Sequence, residues 1–315
     1  MSEENPPQWL DFLEKNHLNS RLRRNESMKR FNTWRIGGIA DCLIDVINIS
    51  DLSYLLSFIK KYEIPWFIIG KGSNILVQET TWPGIILHLS GDFKSWNPYP
   101  KNKSNCDIIE VSAGAALADV TFAQRCINHG LKGMEFLIGI PGTIGGAISM
   151  NAGAHGSETS EFLKEVEWMD MEGKLNTSKI GELNFKYRFS ELNGNFGKVI
   201  TNAIFELQKS DPKTVKNKII EYQKFRMEKQ PYNQPSCGSV FKNPPGFHAA
   251  KLIEEAGLKG KVLGGAQIST KHANFIVNLG DASSDDILSL INIAQETVFR
   301  KHSINLDLEV QILHN

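Results

Sequence analysis

The chain has 315 residues, with 35 basic and 35 acidic side chains and no formal net charge. That balance gives no reason to expect nucleic acid or an acidic membrane surface as a global partner. Hydrophobic residues at 41% and charged residues at 22% fit an ordinary globular protein, of a length that suits two domains or one large and one small.

The first strong element is "SDLSYLLSFIKK" (50–61), where Leu52, Leu55, Leu56 and Ile59 share a helical face and Ser50 or Asp51 can cap the start. "IPWFIIG", "NILVQ", "GIILHLS" and "IIEVSAG" then read as strands. Residues 116–129 read as a helix closed by Gly130. From 133 to 156 the chain is glycine-rich and nearly uncharged, yet interleaved with Phe, Ile, Leu and Met, so it is no linker. "EVEWMDM" and "KVITNAIFEL" are strand-like, and 212–229 reads as a basic, amphipathic helix. "HAAKLIEEAG" is a short helix stopped by Gly257, and "NFIVNLG" alternates like a strand. "SSDDILSLINIAQETVFRKH" opens with the capping box Ser283/Asp286 and presents Ile287, Leu290, Ile291, Ala294 and Val298 on one face. "LDLEVQIL" is a final strand. Regular β-α-β alternation is lacking, so the expected class is α+β.

The four cysteines, Cys42, Cys106, Cys126 and Cys237, have no Cys-x-x-Cys spacing, which argues against a zinc knuckle or a dithiol redox motif and suits a reducing compartment. The eight histidines, His17 among them, show no metal-ligand spacing, so no catalytic metal is expected. The acidic N-terminus "MSEENPPQWLDFLEKNH" lacks a long apolar core, and no apolar run approaches the ~18 residues that span a bilayer. The expectation is a soluble cytoplasmic protein without membrane insertion.

Two glycine loops carry the chemistry. In "IIGKGSNILV" (68–77), Gly70 and Gly72 follow a strand, but Ile75 stands where a dinucleotide fingerprint wants a third glycine, and Pro65 stands where a Walker A loop wants its first. What remains is a strand–turn–strand anion loop with Ser73 and Asn74 as added donors, or a plain hairpin turn, which this loop alone favours. The second loop, "GIPGTIGGAISMNAGAHG", lets backbone approach something flat or charged closely. Two such loops together point to a large diphosphate-containing cofactor. In "QPSCGSVFKNPPG" (234–246), a thiol, a hydroxyl and an amine lie close in sequence, and no His–Asp partnership can be assigned to Cys237.

In order, "NTWRIGGIAD", "GKGSNILV", "GIPGTIGGAISMNAGAHGSE", "YRFS", "RMEKQP", "GSVFKNP", "GLKG…GGAQIS…KHANFIVN" and "LDLEV" closely resemble the UDP-N-acetylenolpyruvoylglucosamine reductase family from about residue 20 to 311. The resemblance implies a p-cresol methylhydroxylase-type FAD-binding fold of two α+β subdomains plus a C-terminal α+β substrate-binding domain. The implied boundaries are an N-terminal segment 1–30, an FAD-binding domain 31–208 with subdomains of about 31–90 and 91–208, and a substrate domain 209–315. The length is that of the shorter type, which lacks an inserted tyrosine-bearing loop. Non-covalent FAD is the implied cofactor, NADPH the co-substrate, and UDP-N-acetylglucosamine enolpyruvate the substrate. The implied reaction carries hydride from NADPH through the flavin to the vinyl carbon, and a proton to its neighbour.

By resemblance, Ser239 is the proton donor, Arg188 the carboxylate-binding arginine and Glu309 the catalytic glutamate. Asn243 and Gln267 are substrate contacts, with Tyr187 and Lys242 as neighbours; Lys242 equally suits a solvated charge or a diphosphate contact. The cofactor set is Gly70, Lys71, Gly72, Ser73, Asn74, Gly139, Ile140, Pro141, Gly142, Thr143, Gly145, Gly146, Asn151, Gly153 and Arg226. Without the resemblance, Ser239 reads as a turn serine, Arg188 as a surface ion pair, Glu309 as an outward strand carboxylate and Arg226 as a helix C-terminal cation. The chain departs from the family pattern at Lys71, inside a turn that is usually three glycines, at His155 for a tyrosine, and at Gln311 for an arginine. Two alternatives stand beside this reading: another flavin oxidoreductase of the same fold, or a non-catalytic nucleotide-sugar binder.

Overall fold

The computed structural model describes residues 8–15, 18–100, 107–193 and 197–314; Cys106 and His17 lie outside them. The chain divides into two compact units, one of Met1–Glu26, Ala40–Gly70 and Pro83–Lys216, the other of Ser27–Ile39, Lys71–Trp82 and Asn217–Asn315. The α+β class holds: sheets and helices are mixed, and the pairing is largely antiparallel.

The first unit is built on two sheets. One has the order Arg21–Ser27, Ile39–Val46, Trp82–Leu89, Trp66–Ile69, the last two strands running parallel. The other runs Leu175–Lys179, Leu163–Met169, Val199–Lys209, Ile108–Gly114, Trp96–Pro100, with Leu131–Lys132 also on the long central strand. The helix Ile49–Lys61 buries Leu52, Leu55, Leu56 and Ile59, the stripe its spacing predicts. Its cap is neither Ser50 nor Asp51 but Asn48, whose side chain accepts from Asp51 N–H at 2.8 Å. The Asp51 carboxylate instead accepts from Ser20 N–H at 2.7 Å and Ser20 Oγ at 2.6 Å, a pairing 31 residues away that no local pattern announces. Gly173 sits against the same helix: a Cβ there would lie 2.5 Å from Ser53 O, so only glycine permits that approach. The predicted helix at 116–129 is Asp119–Asn128, with Gly130 left-handed at φ 60° as its stop.

The second unit has one continuous core, in which the helix Ser284–His302 lays down Ile287, Leu290, Ile291, Ala294 and Val298 beside Trp34, Leu76, Val240, Phe241 and Ile276. Each large aliphatic so buried stabilises by roughly 1.5–3 kcal/mol as an upper estimate. The capping box is formed as read, with Asp286 N–H on Ser283 Oγ at 3.1 Å and Ser283 N–H on Asp286 Oδ2 at 3.0 Å. A second acid, Glu79, accepts from Ser284 N–H at 3.0 Å and Ser284 Oγ at 2.5 Å, pinning the segment 71–82 to the helix start. Trp34 is fully buried; its indole donates to Ile276 O at 2.7 Å, and its carbonyl accepts from Asn278 Nδ2 at 2.9 Å.

Three further expectations are corrected. The strands around 68–77 make no hairpin: Trp66–Ile69 pairs in parallel with Trp82–Leu89, and Ile75–Val77 pairs in parallel with Gln311–Leu313. The loop is instead where the chain leaves the first unit, at Gly70, and enters the second, at Lys71. The last strand is short, Gln311–Leu313, preceded by a lone bridge of Leu308 to Phe241. The helix Pro212–Lys229 is not simply amphipathic: Val215 and Ile219 are buried, whereas Ile220, Phe225 and Met227 are exposed.

Candidate functional site

The catalytic candidates fall in both units, Arg188 in the first, Ser239 and Glu309 in the second.

In the second unit, backbone bonds bring the Ser239 and Glu309 segments side by side. Glu309 N–H donates to Val240 O at 2.8 Å, and Lys242 N–H to Asp307 O at 2.8 Å. On the other flank, Val240 N–H donates to Asn274 O at 2.9 Å. The buried Asn274 side chain completes the clamp, accepting from Phe241 N–H at 3.0 Å and donating to Phe241 O at 2.8 Å. Gly238, left-handed at φ 73°, delivers the chain into this slot. Ser239 and Glu309 are both half-buried, so neither hydroxyl nor carboxyl is sealed in the core. Asn74 belongs to the same frame: its amide donates to Glu309 O at 3.0 Å, and its carbonyl accepts from Gln311 N–H at 3.0 Å. Expected at the cofactor, Asn74 thus spends its side-chain donor on the Glu309 carbonyl.

Cys237, the most conspicuous side chain of that loop, is buried; its thiol donates to Ile75 O at 3.0 Å and lies 3.5 Å from Thr33 Oγ1. Burial pushes it up to about 11, so it is a neutral joint holding the serine loop to the Gly72 turn, without the thiolate a nucleophile needs. Asn243 Oδ1 accepts from Ala249 N–H at 3.0 Å, at the start of the helix Ala249–Glu255. Gln267 Nε2 donates to Gly260 O at 3.1 Å from the central strand of a three-stranded sheet. Lys242 is half-buried. Arg226, in the last turn of its helix, donates to Gln230 Oε1 at 2.9 Å, and burial lowers its pKa. Sequence reading passed over Asn274, Asn278, Thr33 and Trp34, although all four lie in quoted motifs; only their distant partners reveal what they do.

In the first unit, Phe185–Lys186 and Phe189–Ser190 pair antiparallel, leaving Tyr187 and Arg188 as a two-residue turn. Arg188 is left-handed at φ 54°, a conformation a side-chain-bearing residue rarely adopts. Its Nη2 donates to Gly153 O at 2.9 Å, and its guanidinium lies 5.0 Å from the centroid of the exposed Tyr187 ring. Gly153 and Ala154 pair with Glu158 and Ser157 across a tight turn made by His155 (φ 56°) and Gly156 (φ 83°).

The glycine-rich segment folds as a short 3₁₀ turn, Glu135–Gly139, and a helix, Ile144–Ser149, capped by Thr143 Oγ1 on Gly146 N–H at 3.3 Å. Its N–H groups are largely committed to protein: Ile144 to Leu117 O at 3.0 Å, Gly145 to Ala115 O at 2.8 Å, Gly142 to Ile140 O at 2.9 Å. The glycines serve close packing. A Cβ on Gly70 would lie 2.7 Å from Thr143 Oγ1, and one on Gly142 only 2.3 Å from Asp119 Oδ2. The half-exposed Ile140 and Gly142, with the exposed Pro141, form the open lip of this segment. In the Lys71–Asn74 turn, by contrast, the N–H groups of Gly72 and Ser73 meet no carbonyl among the described residues. Each feature taken by itself fits part of an FAD: the donor-bearing turn of the second unit suits a diphosphate, and Gly142, bare of a side chain in the open lip of the first, suits the close approach of a flat ring.

Beneath the lip lies Asp119, fully buried, with neither carboxylate oxygen hydrogen-bonded. Burial raises its pKa well above the usual carboxylate range. A raised folded pKa means the native state binds the proton more tightly than the unfolded chain. Ionisation therefore destabilises the fold progressively as pH rises from about 4 through the folded pKa. Asp119→Asn, which cannot ionise, is expected to raise Tm by about 2–4 °C at pH 8, with the gain shrinking toward pH 4; thermal melts across pH check this.

Residues 40–178 match the family model described as FAD binding domain, and residues 230–313 match that described as UDP-N-acetylenolpyruvoylglucosamine reductase, C-terminal domain. The UDP-N-acetylenolpyruvoylglucosamine reductase of Halalkalibacterium halodurans is 40% identical over 292 residues, covering 93% of this chain and 94% of that protein. That of Clostridioides difficile is 39% identical over 292 residues, covering 93% of this chain and 92% of its own length. The crystal structure of UDP-N-acetylenolpyruvylglucosamine reductase from Thermus caldophilus superimposes with a TM-score of 0.79 at 33% identity, over 94% of this chain and all of that one. Among the described residues, no helix is long and apolar enough to cross a membrane.

Proposed function

The chain belongs to the UDP-N-acetylenolpyruvoylglucosamine reductase family, and from that premise we propose that it uses NADPH, in the cytoplasm, to convert UDP-N-acetylglucosamine enolpyruvate to UDP-N-acetylmuramate. The enzyme is an FAD-containing oxidoreductase of peptidoglycan precursor synthesis. FAD, when bound, supplies the hydride chemistry; position, charge and the proton come from side chains. Hydride addition to the vinyl carbon leaves an electron pair on its neighbour, delocalised into the carboxylate. Arg188 binds that carboxylate through its planar guanidinium, an interaction that strengthens as charge moves onto the oxygens. The Ser239 hydroxyl gives its proton to the neighbouring carbon and regains one from solvent. Glu309 positions and polarises that transfer. Asn243, Gln267, Tyr187 and Lys242 hold the rest of the substrate. Gly72 and Ser73 offer N–H groups to the cofactor's diphosphate.

The observation that carries this reading is the 2.8 Å bond from Glu309 N–H to Val240 O, which lays the proposed acid and its partner on adjacent segments. The test is anaerobic: NADPH should bleach the yellow protein, and the enolpyruvyl UDP-sugar should restore its colour. Recolouring only when oxygen is afterwards admitted, with the sugar without effect, would favour an oxidase instead.

A further inference from the structure

Asn151 is fully buried and left-handed, at φ 43°, just past the helix Ile144–Ser149. Asparagine, after glycine, is the residue that tolerates this conformation at a helix end. The helix closes there: Asn151 N–H donates to Ile148 O at 3.1 Å and Ala152 N–H to Ala147 O at 2.7 Å. The side chain then bridges two other segments. Its Nδ2 donates to Lys186 O at 3.2 Å, and its Oδ1 accepts from Ser160 N–H at 3.0 Å. Lys186 precedes the Tyr187–Arg188 turn, and the Arg188 guanidinium returns to Gly153 O at 2.9 Å, two residues beyond Asn151. The bonds close a ring: Asn151 to Lys186, along the turn to Arg188, across to Gly153, and back along the chain.

That ring answers a mechanical need. The turn places a residue with a Cβ in the left-handed region and is flanked by only the pairs Phe185–Ser190 and Lys186–Phe189, a ladder too short to hold a strained turn alone. We propose that Asn151, expected from sequence at the cofactor, is a positioning residue for Arg188. It fixes the Lys186 carbonyl and so the aim of the guanidinium, and it ties that aim to the end of the glycine-rich helix. The proposal rests on Arg188 being the arginine that binds the substrate carboxylate.

Asn151→Gly tests it, because glycine keeps the left-handed backbone and removes both side-chain bonds. FAD affinity, read by fluorescence titration, should stay within about twofold, while kcat/KM for the enolpyruvyl UDP-sugar should fall about 10- to 100-fold, the scale of a misaimed group. In an Arg188→Ala background the same substitution should change kcat/KM by less than about twofold, since what it positions is gone. Asn151→Asp provides a second route: it keeps the acceptor for Ser160 N–H, loses the amide donor to Lys186 O, and should show the same split. FAD affinity weakened about tenfold, or a full loss persisting beside an impaired Arg188→Ala, would overturn the positioning role alone. An unimpaired Arg188→Ala would overturn the reading of Arg188 and this proposal with it.

Discussion

Replacing Ser239 with alanine is expected to leave the flavin reducible by NADPH while lowering the rate of substrate reduction by about 10²–10⁴-fold, the range for loss of a positioned general acid. The two half-reactions separate because the serine acts only once charge has developed on the substrate. The substitution removes one oxygen from a half-buried position whose next residues, Val240 and Phe241, are held by Asn274 and, at Val240, by Glu309, so the loop should keep its shape. Stopped-flow absorbance would follow bleaching and recovery separately. If both slow together, Ser239 is a structural residue and not the proton donor.

Replacing Arg188 with alanine is expected to lower kcat/KM by about 10²–10³-fold, the cost of removing a donor aimed at developing charge. The loss should fall on kcat as well as KM, because the carboxylate carries more charge in the transition state than in the bound substrate. Alanine at φ 54° also keeps the backbone strain of the native turn. Arg188→Lys isolates the geometry: it retains the charge but not the planar fork, and should recover only part of the loss. Steady-state kinetics with thermal melts separate the two effects. An Arg188→Ala enzyme with raised KM and unchanged kcat would mean the arginine contributes only ground-state binding.

What sequence made legible was what depends on near neighbours. The helix faces of 49–61 and 284–302 follow from period, and the Ser283/Asp286 box from three-residue spacing. The misreadings share the opposite property. Whether the strands around Gly70 and Gly72 pair with each other is decided by their true partners, Trp82–Leu89 and Gln311–Leu313, the latter more than two hundred residues on. Asn48 rather than Ser50 caps its helix, and Asp51 is drawn away by Ser20. At the candidate site, resemblance names residues but not what they touch. It cannot reveal that Cys237 hangs from Ile75 O, that Asn74 holds the Glu309 carbonyl, or that Arg188 sits in a left-handed turn. Asp119 went unnoticed because one aspartate at a helix start looks like any other; only its burial without a partner marks it.

The most direct test of the central claim is to incubate the purified, FAD-loaded protein with NADPH and UDP-N-acetylglucosamine enolpyruvate, counting NADPH consumed against UDP-N-acetylmuramate formed by mass spectrometry. One NADPH oxidised for each UDP-N-acetylmuramate formed, with no turnover when the enolpyruvyl sugar is omitted, is the predicted result. NADPH consumed without that product, or a protein that takes up no FAD, would contradict it.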